Sequence, residues 1–70
     1  MNAPYARRLR AVDLRIARLQ RDLVATRGTY VDPAPTWARL ASLGRHRVHV
    51  ADMACIEARD AQAAGARRAA

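Results

Sequence analysis

Residues 5–27 read YARRLRAVDLRIARLQRDLVATR, and the fold can be worked out from this stretch. Its larger apolar or half-polar side chains recur at alternating steps of four and three residues. They are Tyr5, Leu9, Val12, Ile16, Leu19, Leu23 and Thr26. A helix turns by about 100° per residue, so this spacing places them on one narrow stripe, which is the pattern of a coiled-coil seam. The sequence therefore predicts an amphipathic helix over about residues 5–27 that packs against another helix.

The residues on either side of this stretch predict where the helix begins and ends. Asn2 suits the N-cap position, and Pro4 suits the first turn that follows it. Gly28 stands where a glycine at the C′ position would end the helix. Residues 29–36 contain two prolines, which remove backbone donors and disfavour helix at the residue before each of them. This segment is predicted to be a Pro-containing turn that reverses the chain.

A second helix is predicted over about residues 36–64, with Asp32 and Thr36 both suited to cap it. Its apolar residues spread more widely around the helix than those of the first, which indicates more than one neighbour. They are Trp37, Leu40, Ala41, Leu43, Val48, Val50, Ala51, Ala54, Cys55, Ile56 and Ala58. Gly44 permits either a break or a close helix crossing, and we favour a continuous helix because residues 45–49 offer no N-cap.

These elements predict an all-α fold in which residues 1–70 form one antiparallel helical hairpin, with residues 66–70 as a frayed basic tail. A lone hairpin leaves part of the second helix uncovered, and we expect Val50, Ile56 or Leu43 to be exposed. Dimerisation into a four-helix bundle would cover them. The candidate residues for packing or for an oligomer interface are Leu9, Val12, Ile16, Leu19, Leu23, Trp37, Leu40, Val48, Ala51 and Cys55.

The composition limits what such a domain can do. In 70 residues there are 17 alanines, one tryptophan and no phenylalanine, so a monomeric core would be small. A single cysteine excludes an internal disulfide and fits a reducing, cytoplasmic location. Charged residues interrupt every apolar run, so a membrane role is not expected.

The charge is concentrated in arginine, with 13 arginines, no lysine and a net charge of +7. On the first helix, several arginines lie opposite the apolar stripe or flank that position. They are Arg7, Arg8, Arg10, Arg15, Arg18 and Arg21, which we call the arginine face. A cationic face of this kind suits nucleic-acid phosphates or an acidic partner. Because few amide or aromatic side chains accompany it, we expect any nucleic-acid binding to be to the backbone and independent of sequence.

No arrangement of residues predicts catalysis or a bound metal, and no cofactor is expected. His46, His49 and Asp52 follow each other at steps of three, which makes them diverge around a helix instead of converging on an ion. Cys55 is expected to pack as a small apolar residue. Glu57 and Asp60 are expected to lie on a solvated face.

The sequence therefore predicts a non-catalytic helical-hairpin interaction module that self-associates, docks on a partner protein, or does both. The alternative is a basic hairpin that binds the backbone of DNA or RNA without strong sequence specificity.

Overall fold

The computed structural model describes residues 3–69, which form two antiparallel helices. Helix α1 spans Pro4–Ala25 and helix α2 spans Ala34–Ala69. The described part of the chain contains no strand. The two helices pack against each other along α1, giving a rod of 62 × 17 × 13 Å. The prediction of an all-α helical hairpin is confirmed.

Helix α1 begins without a side-chain cap of its own. Its N-cap is Ala3, with Pro4 in the first turn, and the predicted cap, Asn2, lies outside the described residues. The helix ends at Thr26, whose N–H donates to the carbonyl of Asp22. Gly28 has a left-handed φ of 76°, as a helix-ending glycine requires, but it stands two residues after the C-cap.

Helix α2 begins at Ala34, earlier than predicted. The Oδ1 atom of Asp32 accepts a hydrogen bond from the Ala34 N–H at 3.0 Å, and the Pro33 carbonyl accepts the first helical bond from the N–H of Trp37. Of the two candidate caps, the structure therefore uses Asp32, and Thr36 lies inside the first turn. Prolines are tolerated here because the first-turn N–H groups have no helical acceptor.

Helix α2 is continuous through Gly44, as we favoured, and it continues beyond its predicted end near Ala64 to Ala69. Alanine and arginine are strong helix formers, and Arg67 and Arg68 in the last turn complement the negative end of the helix dipole. The tail is therefore helical in the structure up to Ala69, and Ala70 lies outside the described residues. Fraying of this tail in solution stays a prediction.

One row of α2 residues, which we call the inner seam, faces α1. It repeats the alternating steps of the α1 stripe and consists of Thr36, Leu40, Leu43, Arg47, Val50, Ala54 and Glu57. Val12 and Val50 are the buried apolar residues, with exposed fractions of 6% and 1%. Of the three α2 residues named as candidates for exposure, Ile56 is 49% exposed, as expected, whereas Leu43 is half-buried and Val50 is buried. The sequence pattern did not reveal this row, because the charged residues Arg47 and Glu57 occupy two of its seven positions.

The candidate packing residues divide into two groups. Along α1, Leu9, Ile16, Leu19 and Leu23 are half-buried beside the buried Val12, and Leu40 and Ala51 of α2 are half-buried too. Trp37, Val48 and Cys55 are exposed, so they do not pack within the hairpin. For Cys55 this corrects the expectation of a packed apolar residue, because it lies on the side of α2 turned away from α1.

Candidate interaction surfaces

A second row of apolar residues runs along α2 one position after the inner seam. This outer seam consists of Trp37, Ala41, Gly44, Val48, Ala51, Cys55 and Ala58. It has the same alternating steps of four and three, displaced by about 100° around the helix. Trp37 is 60% exposed and Val48 is 63% exposed. Helix α2 thus carries two parallel seams. Within the described residues α1 covers the inner seam, whereas the outer seam is mostly exposed and only Gly44 and Ala51 in it are half-buried.

Charged residues border the outer seam at intervals of seven. Arg45, Asp52 and Arg59 occupy successive equivalent positions, and all three are exposed. None of them belongs to the ion pair that Asp13 and Arg47 form within residues 3–69. The seam therefore has a border on which positive, negative and positive charges alternate, as the flank of a coiled-coil interface does.

Helix α2 is longer than α1 and extends past it. The first N–H groups of α1 contact Glu57, so residues 58–69 have no α1 residue beside them. This extension is about 18 Å long, and its side chains are exposed from Ala58 to Arg68. A short helix without a packing partner is marginal in water, and within residues 3–69 this segment has no other helix beside it.

A groove of about 570 Å³ lies at the other end of the hairpin, beside the turn. Its apolar lining includes Leu23, Val24, Val31, Trp37 and Leu40. Trp37 belongs to the outer seam, so the groove continues that seam toward the turn. The exposed apolar surface is consequently one strip from the turn to the middle of α2.

The arginine face lies on α1, and all six of its predicted residues are exposed. The guanidinium of Arg8 stacks over the Tyr5 ring at 5.1 Å from the ring centre. Arg15 and Arg18 line a shallow groove of about 350 Å³ between the helices, together with Arg39 of α2. Sequence reasoning missed Arg39, because only the packing of the two helices brings it beside the arginines of α1.

Glu57 lies against the start of α1, which corrects its assignment to a solvated face. Its two carboxylate oxygens accept hydrogen bonds from the N–H groups of Tyr5 and Ala6, at 3.1 and 3.2 Å. These N–H groups have no acceptor within their own helix, and the carboxylate also balances the positive end of the helix dipole. The arginines near this end thus have an acidic residue nearby, supplied by the other helix. Asp60, one turn farther on, is exposed as expected.

Arg47 occupies an inner-seam position, but its guanidinium reaches out to Asp13. Nε and Nη2 donate to the two oxygens of that carboxylate, so the pair is bidentate. The hydrogen bonds from Arg47 hold the pKa of Asp13 below its usual value of 3.8, and Asp13 in turn raises the pKa of Arg47. Because both side chains are about half exposed, the pair fixes the register of the helices more than it adds to stability.

The described residues contain no group of three or more histidine, cysteine, aspartate or glutamate side chains placed to hold a metal ion. His46, His49, Asp52 and Cys55 are all exposed on α2. Between Ala3 and Ala69, neither helix combines the length and the apolar character needed to cross a bilayer.

Comparison of the chain with protein-family models, with curated proteins and with solved structures found no match. The function of the chain is therefore inferred from the exposed surfaces of the hairpin.

Proposed function

We propose that this chain is a non-catalytic helical-hairpin interaction module that self-associates, docks on a partner protein, or does both, through the outer seam of α2. A coiled-coil seam is stable only when a second helix covers it, and the outer seam has the same spacing as the inner one. Large exposed apolar residues gathered in one strip are typical of a protein interface. Trp37 and Val48 are the large exposed apolar residues of the outer seam.

The observation that carries this proposal is the accessible surface of the whole molecule. It measures 5886 Å², whereas a compact monomer of 7.7 kDa would expose about 4,300 Å². A stable interface covers about 800 Å² on each partner. The surplus is therefore larger than the area that one such interface would remove from water.

The mass of the chain in solution, measured by sedimentation equilibrium over a range of concentrations, tests the proposal. We expect an oligomer that dissociates on dilution. Val48→Arg should shift the equilibrium to monomer, because it places a charge in the middle of the outer seam without touching the buried core. Leu14→Arg is the matched control, since Leu14 is 65% exposed but lies on α1, away from this seam.

Val48→Arg and Leu14→Arg make the same chemical change at equally exposed sites, so equal effects on the mass would contradict a role of the outer seam. A chain that stays monomeric up to high micromolar concentration would contradict self-association. Docking on a partner protein would then be the remaining form of the proposal.

The exposed arginine face favours a second candidate, backbone binding of DNA or RNA. Arg10, Arg18 and Arg21 are exposed and make no ion pair with any described residue. An exposed cationic face attracts phosphates irrespective of sequence. The affinity of the chain for duplex DNA, with and without these arginines, distinguishes this candidate from an ordinary solvated surface.

A further inference from the structure

We propose that the outer seam is covered by a second copy of this chain, whose own α2 packs antiparallel across it around a two-fold axis between residues 49 and 50. This inference rests on the proposed function and names its partner. An isologous pair of this kind lets each copy use the same surface, which is the commonest arrangement of homodimers.

The seam residues pair in regular layers when Val48 faces Ala51 of the second copy. The next layers then bring Gly44 beside Cys55 of the second copy, and Ala41 beside Ala58 of the second copy. Each of these three layers contains at least one small residue, so the two α2 helices approach closely there, and at the end of the seam Trp37 faces Gln62 of the second copy. The alternating steps of four and three keep the same alignment along the whole seam.

The border charges select this alignment among its neighbours. It brings Arg45 close to Asp52 of the second copy, and the two-fold axis makes this pair twice. A shift by one heptad in one direction sets Arg45 beside Arg45 of the second copy. A shift in the other direction sets Asp52 beside its own equivalent and Arg45 beside Arg59. Like charges at these positions are destabilising, so of these three alignments only the proposed one pairs opposite charges. A shift by two heptads would pair Asp52 with Arg59 of the second copy, but it moves Gly44 away from Cys55, so the disulfide test below distinguishes it.

The same alignment covers the free extension of α2. Residues 58–65 of the second copy would lie along residues 34–41 of the first, and residues 66–69 would extend toward the turn, where the groove is located. The extension and the apolar groove are the two surfaces that the hairpin leaves without a helix partner. A two-fold axis joins them twice, which accounts for the greater length of α2.

Disulfide formation reports the alignment directly. In the proposed dimer, Gly44→Cys places a thiol beside Cys55 of the second copy. The substitution fits the helix, because a Cβ atom at Gly44 meets no atom within 4 Å. Within one chain, positions 44 and 55 are about 16 Å apart along α2, too far for a disulfide. Any disulfide between the introduced thiol and Cys55 must therefore join two chains.

The experiment oxidises Gly44→Cys with diamide, which takes up the two protons and two electrons that the thiols lose. We expect the mass to double under non-reducing conditions, with two interchain bonds in each dimer. Arg45 and Arg47 separate the introduced cysteine from Cys55 in a tryptic digest, so mass spectrometry identifies the bond between the two peptides.

Two controls accompany this variant. The unaltered chain should not cross-link rapidly, because in this alignment the two Cys55 residues lie about 16 Å apart along the helix axis. Gly65→Cys makes the same change at another open glycine position, where no cysteine of the second copy lies nearby. It should remain uncross-linked under the same oxidation.

Charge exchange gives a second measurement that does not depend on oxidation. Arg45→Asp should raise the dimer dissociation constant about ten-fold or more, because both border pairs become repulsive. Combining it with Asp52→Arg should restore the original value. Arg59→Asp is the control, because Arg59 lies beside Ala38 of the second copy, which carries no charge. Combining Arg59→Asp with Asp52→Arg should therefore not restore the dissociation constant.

These experiments test self-association and the antiparallel alignment separately. A dimer whose Gly44→Cys variant forms no disulfide between the introduced cysteine and Cys55 overturns the alignment but leaves self-association intact. Rapid Cys55–Cys55 bonding in the unaltered chain would indicate parallel helices or an antiparallel pair centred near Cys55, and either arrangement overturns the proposed alignment. A monomeric chain overturns the alignment and self-association together.

Discussion

The carboxylate of Glu57 determines how helix α1 can begin. This helix has no side-chain cap of its own, and its first two turns contain several arginines, which the helix dipole disfavours. Glu57 of α2 provides both the cap and the balancing charge, because its carboxylate accepts two N–H bonds and is negative. The start of α1 is therefore stable only when the hairpin is closed.

Removal of this carboxylate should destabilise the hairpin. We expect Glu57→Ala to lower the free energy of unfolding by about 1–2 kcal/mol, the usual cost of losing a helix cap. Glu57→Gln should cost less, because its amide oxygen still accepts one bond. Asp60→Ala is the control, since it removes an equal charge from an exposed position one turn away. Urea unfolding followed by circular dichroism measures all three, and an equal loss for Glu57→Ala and Asp60→Ala would refute the capping role.

Helix α2 carries two seams, and this explains how its apolar residues are distributed. Between the inner and outer seams nearly half of its circumference is apolar, so the helix has no single hydrophobic stripe. Gly44 lies in the outer seam, where the absence of a side chain permits a close helix crossing without breaking α2. The wide distribution of apolar residues, which suggests more than one neighbour, reflects these two separate seams.

The two seams should respond differently to the same truncation. Val50→Ala removes a fully buried side chain of the inner seam and should cost about 2 kcal/mol of unfolding free energy. Val48→Ala is the matched control two residues away. At a concentration low enough to keep the chain monomeric, it should change stability by less than about 0.5 kcal/mol, because Val48 is exposed in the hairpin. Thermal unfolding at that concentration compares them, and a larger loss for Val48→Ala would contradict the assignment of the seams.

In the molecule as a whole, the outer seam and the arginine face lie on different helices, and the exposed apolar residue Leu14 lies on the same side of α1 as the arginines. The outer seam belongs to α2, whereas the arginine face lies on α1, opposite the stripe that packs in the hairpin. Dimerisation through the outer seam therefore leaves the arginines of both copies accessible. The proposed self-association and the proposed nucleic-acid binding would therefore use different surfaces of one molecule.

This separation leads to a prediction for DNA binding. Replacing Arg7, Arg10, Arg18 and Arg21 with glutamine should preserve helicity and oligomeric mass, because these residues are exposed on α1, none of them belongs to either seam, and glutamine is a comparable helix former. If the arginine face binds phosphates, affinity for every duplex should fall alike. The slope of log affinity against log salt should then shrink by about 0.9 for each phosphate that is no longer neutralised. Fluorescence anisotropy at several salt concentrations measures this.

Two results would contradict nucleic-acid binding by the arginine face. One is the absence of any duplex binding by the unaltered chain near 150 mM salt, where the screening length is about 8 Å. The other is a quadruple variant whose affinity and salt slope are unchanged. Tight binding that prefers one sequence would also disagree, since this face lacks the amide side chains that read adenine edges.

The two helices, the turn between them and the stripe of α1 that packs could all be predicted from the sequence. Each of these follows from local rules, namely the alternating apolar spacing of residues 5–27, the restrictions imposed by Pro33 and Pro35, and the left-handed conformation that Gly28 adopts readily. The continuity of α2 through Gly44 also followed, because the residues after it lack a cap.

The face of α2 that meets α1 could not be predicted in this way and is known only from the packed hairpin. Arg47 and Glu57 interrupt the inner seam as the sequence presents it, and their roles depend on Asp13 and on the free N–H groups of α1, both far away along the chain. Val50 and Val48 are equally apolar and only two residues apart, yet one is buried and the other exposed. Local sequence does not distinguish them, because burial depends on where the opposite helix lies, and that position is set by contacts between residues that are distant in sequence.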